Sequence, residues 1–337
     1  GSLRRALEFA NHTPTPDTIT FNIPGAGPHT ISPLSPLPAL PYPVSLDGLT
    51  QPGASAGSWP PDLRIVIDGT SAGSGANGFD LDSKYLDHPR FIRGLVIQNF
   101  DGYALDVGLG YRALTVSDCF IGTSLDGTTA QPNGAGGIYD ESGNVTYFSP
   151  ELLNAYGVAG GGTFGRNLIS GNGGPGLFVE DGGFTTIQNN YIGTTVTGAS
   201  ALPNAGAGIL LDGNTTVGGA PAARYFTIGG LIASEANLIA YNGGGGVRLG
   251  LVRSARISGN SIHSNGGLGI EFSSSTPLGN DVADQDDGSP NNAMNHPIIE
   301  RAILSGGQTL VDGWLDGIPG GRFRLEFFTS SSADPSG

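Results

Sequence analysis

The 337-residue chain holds 58 glycines and 23 prolines, yet 38% of it is hydrophobic and only 13% is charged. That balance excludes a disordered chain, and the lack of a Gly-X-Y period excludes collagen. With 15 basic against 29 acidic residues, net −14, the chain repels phosphate backbones and anionic lipid. No apolar run reaches the ~20 residues of a membrane-spanning helix, so neither nucleic acid nor membrane insertion is expected.

Leu3, Ala6, Leu7 and Ala10 recur at helical spacing behind Ser2, a natural N-cap, which predicts an opening helix. Strands are expected at Thr18–Ile23, Val44–Asp47 and Leu63–Asp68. Between them, Pro28 to Pro43 contains six prolines and reads as an extended, stiff wall segment.

From Ile97 onward the chain repeats itself. Asn167-Leu-Ile-Ser-Gly-Asn172-Gly-Gly returns as Asn237-Leu-Ile-Ala-Tyr-Asn242-Gly-Gly and as Asn260-Ser-Ile-His-Ser-Asn265-Gly-Gly. A second pattern runs from Asp118 through Asn133 to Ile138 and from Asn189 through Asn204 to Ile209, 71 residues apart over 21 ungapped positions. The spacing of Asn237 and Asn260 sets a unit of 23 residues, and a longer repeat near 70 is expected to hold three such units. A short unit with glycine turns and brief strands predicts one coil of a parallel β-solenoid.

In Leu177-Phe-Val179, Ile209-Leu-Leu211, Val247-Arg-Leu249 and Ile270-Glu-Phe272 the outer two residues are expected to face inward, since the middle one is Phe178, Leu210, Arg248 or Glu271. Asn167, Asn190, Asn237 and Asn260 each precede an isoleucine by two positions and should align as a side-chain ladder. Cys119 takes that place in the first copy, so it is expected to be buried and inert. As the chain's one cysteine it leaves no internal disulfide.

Two regions depart from the repeat. Residues 139–162 read as a long aromatic and acidic insertion, the kind of segment that carries binding in solenoids. Residues 1–296 are therefore read as the solenoid with its cap, and 297–337 as a C-terminal β-strand segment. In the latter, Thr309–Leu315 and Arg322–Phe328 alternate across a glycine and proline turn. They are expected to form a β-hairpin packed on the last coil, or the first strands of a truncated β-sandwich.

Ser2-Leu-Arg-Arg-Ala-Leu-Glu-Phe-Ala-Asn11, Asp17-Thr-Ile-Thr-Phe21 and Asp47-Gly-Leu-Thr-Gln-Pro-Gly53, together with the repeats, resemble the bacterial right-handed parallel β-helix repeat proteins found secreted or at the cell surface. The resemblance runs from Ser2 to about Phe328. It implies an all-β fold, a right-handed parallel β-helix with an N-terminal capping helix, in a secreted or cell-surface bacterial protein. Asn280-Asp281 through Asp286, Gly288 and Pro297 resemble the junction before a C-terminal β-sandwich.

The densest carboxylate cluster, Asp281, Asp284 and Asp286 before Gly288, could converge on a structural calcium ion, though it lacks the closing glutamate of an EF-hand. The five histidines show no metal-ligand spacing. Arg248, Arg253 and Arg256 would form a local basic stripe. Regular repeats without a catalytic motif favour a non-catalytic extracellular or cell-surface module, for adhesion, glycan binding or rigid spacing, with a polysaccharide or cell-surface ligand as partner. The alternative is a polysaccharide lyase, hydrolase or epimerase with a groove on the solenoid wall. Paired carboxylates would be needed there, and Asp140, Glu141 and Glu180 are the candidates.

Overall fold

The computed structural model describes residues 1–81, 90–108, 112–141, 144–146, 166–180, 185–212, 216–217, 220–221, 226–252, 254–272, 279–284 and 294–328. The chain winds through three parallel sheets of eight, eight and seven strands, meeting them in the same order on each turn. The first sheet starts at Asp17–Thr20 and ends at Ala255–Ser258, the second runs from His29–Ile31 to Ser261–His263, and the third from Phe79–Leu81 to Ile270–Phe272. Each turn contributes one short strand per sheet, except that the first has none in the third sheet, which gives eight coils.

What sets the register is an aliphatic residue at a fixed place in every coil. In the second sheet Ile31, Ile67, Ile97, Ile121, Ile169, Ile192, Ile239 and Ile262 stand in consecutive Cα register. A strand of two or three residues cannot hold itself together. It persists because its isoleucine is packed above and below by an identical shape, in a row that is fully buried from Ile67 through Ile239. The third sheet does the same with Phe79, Leu105, Ile138, Leu177, Ile209, Val247 and Ile270.

The expected asparagine ladder is present. Asn167 donates through Nδ2 to Asn190 Oδ1 at 3.0 Å, Asn190 to Asn237 at 3.0 Å and Asn237 to Asn260 at 2.8 Å. A second ladder stands at the next corner, through Asn133, Asn172, Asn204, Asn242 and Asn265, at 2.8 to 3.0 Å. The repeat motifs contain these residues, but their alignment needed the coils to be counted. The two ladders bracket the second sheet and satisfy corner amides that the short strands leave unpaired.

Counting coils corrects the longer repeat. Asn167 to Asn190 takes 23 residues and Asn190 to Asn237 takes 47, so the stretch near 70 spans two coils, not three. The second of these coils is longer because all three of its corners hold extra chain: the loop bridged by Thr194 and Ala201, the corner beyond Asp212 with the small antiparallel pair Thr216–Val217 and Ala220–Pro221, and the turn at Ala233–Glu235. Solenoids accept such corner insertions because the strands on either side keep their pairing.

The insertion read at 139–162 is likewise shifted. Gly136–Asp140 and Asn144–Thr146 are strands of the third and first sheets, the latter with a register shift at Asn144, so the sheets continue through Thr146, and residues 147–165 lie outside the described residues. A strand also occurs at His29–Ile31, inside the proline-rich stretch, where the prolines flank rather than interrupt the pairing with Ile65–Ile67. The strand expected at Thr18–Ile23 covers Asp17–Thr20.

The first coil is capped as expected. Leu3–Ala10 is helical, Ser2 accepts from the Arg5 amide at 3.3 Å, and Leu3, Leu7 and Ala10 are buried against the first coil. Arg4 and Asn11 tie the helix to the proline-rich wall through Ser35 and Ala39 carbonyls at 2.7 Å.

At the other end the inward pattern fails in one place. Ile270 is 45% exposed while Glu271 is buried. Register still aligns Ile270 with buried Val247, so its side faces the interior; among the described residues no ninth coil covers it. Glu271 lies against Gly245 and Gly267 beside Arg248. The expected hairpin of Thr309–Leu315 with Arg322–Phe328 is not formed. Ile298–Ser305 pairs antiparallel with Gln308–Trp314 instead, because Gly306 and Gly307, at φ +59° and +79°, make the two-residue turn that matches strand twist.

The second sheet's outer face carries its own small core. Leu63, Val66, Val96, Phe120, Leu168 and Val196 are buried there beneath loops. Trp59 lies lengthwise over this patch, stacked on Tyr191 at 4.9 Å and donating from Nε1 to the Val196 carbonyl at 2.8 Å. A loop from an early coil thereby grips one much later in the stack.

Candidate functional wall

The outer face of the third sheet gathers the chemistry. One register row runs Asp80, Asp106, Tyr139, Phe178, Leu210, Arg248, Glu271, with Glu180 and Asp212 in the neighbouring row. All point outward because their strand neighbours fill the interior. Asp80 and Asp106 are like charges in adjacent coils, and Asn77 bridges them, donating to Asp80 Oδ1 at 2.6 Å and Asp106 Oδ2 at 2.9 Å. Its own Oδ1 accepts from the Tyr103 amide at 2.7 Å.

Tyr139 stands between Tyr103 and Phe178, with ring centroids 5.3 and 5.2 Å away. Its hydroxyl donates to Glu180 Oε2 at 2.5 Å. Burial, then the Glu180 bond and the nearby charges of Glu141 and Asp106, push the Tyr139 phenol above its ordinary range. Burial and the same acidic surroundings raise Tyr103 too. Both phenols are therefore neutral donors, set among carboxylate acceptors.

Of the three carboxylates expected to act together, Glu180 is on this wall, and Glu141 lies close enough for its charge to act on Tyr139. Asp140 is not on the wall. It registers with Val107 and Val179 and is fully buried, because strand alternation turns it inward beside Ile138. Asp140 and Glu180 thus occupy opposite faces of one sheet and cannot flank a common bond. Sequence order had made them look adjacent; alternation separates them. Tyr139 and Asp106 are the wall residues that sequence reasoning missed, and the signal was the register of Tyr139 with Phe178 on one side and Asp106 on the other.

The arginines do not form one stripe. Arg248 lies on the third sheet, 3.7 Å from Glu271, whereas Arg256 lies on the first, and Arg253 is outside the described residues. His263 registers with Ala240 and is exposed in the last coil.

In the expected calcium cluster, Asp284 Oδ1 accepts from the Asn295 amide at 2.8 Å, and Asn295 also bonds the Asp281 backbone at 2.9 and 2.7 Å. Asp286 is outside the described residues, and among those described no three metal-ligating side chains converge. The two described aspartates serve the turn.

An open cleft of about 570 Å³ lies elsewhere, near the start of the solenoid, lined by Thr70, Ser74, Asn99 and Asp101. Asp101 is already satisfied by the Gly75 amide and Ser74 hydroxyl at 2.6 and 3.0 Å. The wall, with acceptors and neutral phenols in an ordered row, is the better candidate.

Three parallel sheets, visited in one order by eight coils and held by stacked isoleucines and asparagines, agree with a family model described as a right handed beta helix region, which matches residues 159–300. The chain folds as a right-handed parallel β-helix, and residues 159–300 are similar to that family. No curated protein and no solved structure matches the chain. The β-helix accounts for the wall directly: coil repetition places one side chain of each coil in line along the axis.

Proposed function

We propose that this β-helix is a non-catalytic module of a secreted or cell-surface bacterial protein, and that its third-sheet wall binds a hydroxyl-rich polysaccharide. The observation behind this reading is the row Asp80, Asp106, Tyr139 with Glu180 beside it. Sugar hydroxyls donate well to carboxylates, and neutral phenols supply both a donor and apolar ring edges. Coils advance by about 4.8 Å, so the wall offers repeated contacts to a repeating ligand, each weak and together sufficient. The wall's negative charge favours neutral or amine-bearing chains and opposes polyuronates.

The test is calorimetric titration with neutral, amine-bearing and uronate polysaccharides. Binding of either of the first two, lost in Tyr139→Ala and weakened in Glu180→Gln, supports the reading; uronate binding alone, or binding unaffected by both substitutions, defeats it. The short Tyr139–Glu180 bond on an open wall is what favours the catalytic alternative. Release of new reducing ends or unsaturated products from those same glycans, abolished in Glu180→Gln, would establish that alternative instead.

A further inference from the structure

The end of the solenoid repeats a hydrogen bond that should need another coil. At the corner between the first and second sheets, the amide of one coil donates to a carbonyl of the next: Gly94 to Ser117 at 3.3 Å, and Asn189 to Glu235 at 3.1 Å. Gly259 holds this corner in the last described coil, and among the described residues no further strand pairs beyond it in the first sheet. Its amide donates instead to Glu326 Oε2 at 2.8 Å, and the Ser258 hydroxyl donates to Glu326 Oε1. Arg324 Nε lies 2.9 Å from the same carboxylate and holds it in place.

Around Glu326 the chain reads Arg322-Phe-Arg-Leu-Glu-Phe-Phe328, charged residues alternating with apolar ones. It belongs to no sheet. Meanwhile the last coil keeps exposed strand edges, a hazard that solenoids close with a cap.

We propose that residues 322–328 are the terminal cap of this β-helix, with the Glu326 carboxylate standing in for the backbone acceptor of a ninth coil. The occupant of the open end is thus a segment of the same chain, pinned at one corner. The helix Leu3–Ala10 closes the first coil with an apolar face; the far end is pinned at one corner by a carboxylate that accepts two donors of the last coil, while Ile270 stays exposed.

The test is hydrogen exchange on the full chain, read by mass spectrometry on segments 255–263 and 186–212. In Glu326→Ala, the Gly259 amide loses its acceptor, and exchange in 255–263 is expected to rise about tenfold while 186–212 stays at the parent rate. Glu326→Gln keeps one acceptor oxygen and should fall between the two. Unchanged exchange at 255–263 would overturn the proposal. So would equal acceleration of both segments, since that reports lost global stability rather than an opened end.

Discussion

Asn190 and Asn237 lie 47 residues apart in the chain, yet Asn190 Nδ2 reaches Asn237 Oδ1 at 3.0 Å. The same Asn237 oxygen accepts the Asn190 backbone amide at 2.9 Å. Asn190 and Asn260 likewise each accept two bonds from the asparagine of the coil before. A rung deep in the stack has partners on both sides, and removing it strands donors of one neighbour and an acceptor of the other.

Asn190→Ala should accordingly destabilise the fold by about 2–4 kcal/mol, the cost of leaving several buried polar groups unpaired. Asn265→Ala, at the half-exposed end of the second ladder, should cost less than half of that. Urea denaturation of the two variants beside the parent checks the ordering. Equal costs would mean the ladder gains nothing from its length.

Asp118 sits at a buried corner with φ +51°, and burial, only partly offset by Arg166 and Arg93, pushes its carboxyl up to about 6. The folded protein keeps this proton where an unfolded aspartate, near 3.8, has released it. The native state then binds more protons between those values, so this group's contribution is full below pH 3.8 and is lost as pH rises through 6. At roughly 1.4 kcal/mol per tenfold in acidity the loss is about 3 kcal/mol. Asn189 occupies the equivalent corner at the same φ. Asp118→Asn should therefore flatten the pH dependence between 4 and 6 and be more stable than the parent at pH 7, measured by denaturant midpoints across that range.

Cys119 replaces an asparagine in the first ladder. Its sulfur contacts the Ser117 carbonyl at 3.2 Å, and burial, reinforced by Asp118, pushes the thiol up to about 12. An aromatic disulfide reagent at pH 8 should fail to label the native protein and should label it promptly in denaturant. Fast native labelling would place Cys119 outside the core and undo the register.

Trp59 joins distant coils through one ring. Trp59→Ala should cost about 3–5 kcal/mol, from lost packing on Phe120 and Tyr191. Trp59→Phe keeps one aromatic ring but loses part of the indole's packing and the Nε1 bond to Val196, for about 1–3 kcal/mol. Thermal or urea melts separate the two contributions.

Much of this architecture is local and periodic, which is why it could be read directly. The Asn-Leu-Ile and Tyr-Ile-Gly-Thr motifs identify a coil; the isoleucine two places on points inward by alternation; Leu3 and Leu7 behind Ser2 declare a helix. Each of these needs only neighbouring residues. The coil count did not follow from spacing, because Asn167 to Asn190 and Asn190 to Asn237 differ twofold in length while spanning one coil each. A corner can absorb extra chain at little energetic cost, so sequence distance stops measuring axial distance. The wall shows the same limit. Asp140 and Glu180 look alike as acidic residues ending similar strands, but one counts even and the other odd from its inward isoleucine or leucine. Only the pairing of Tyr139 with Phe178 and of Asp140 with Val179 decides which carboxylate meets solvent. Composition and repeat chose the solenoid; stacking chose which of its side chains share a face.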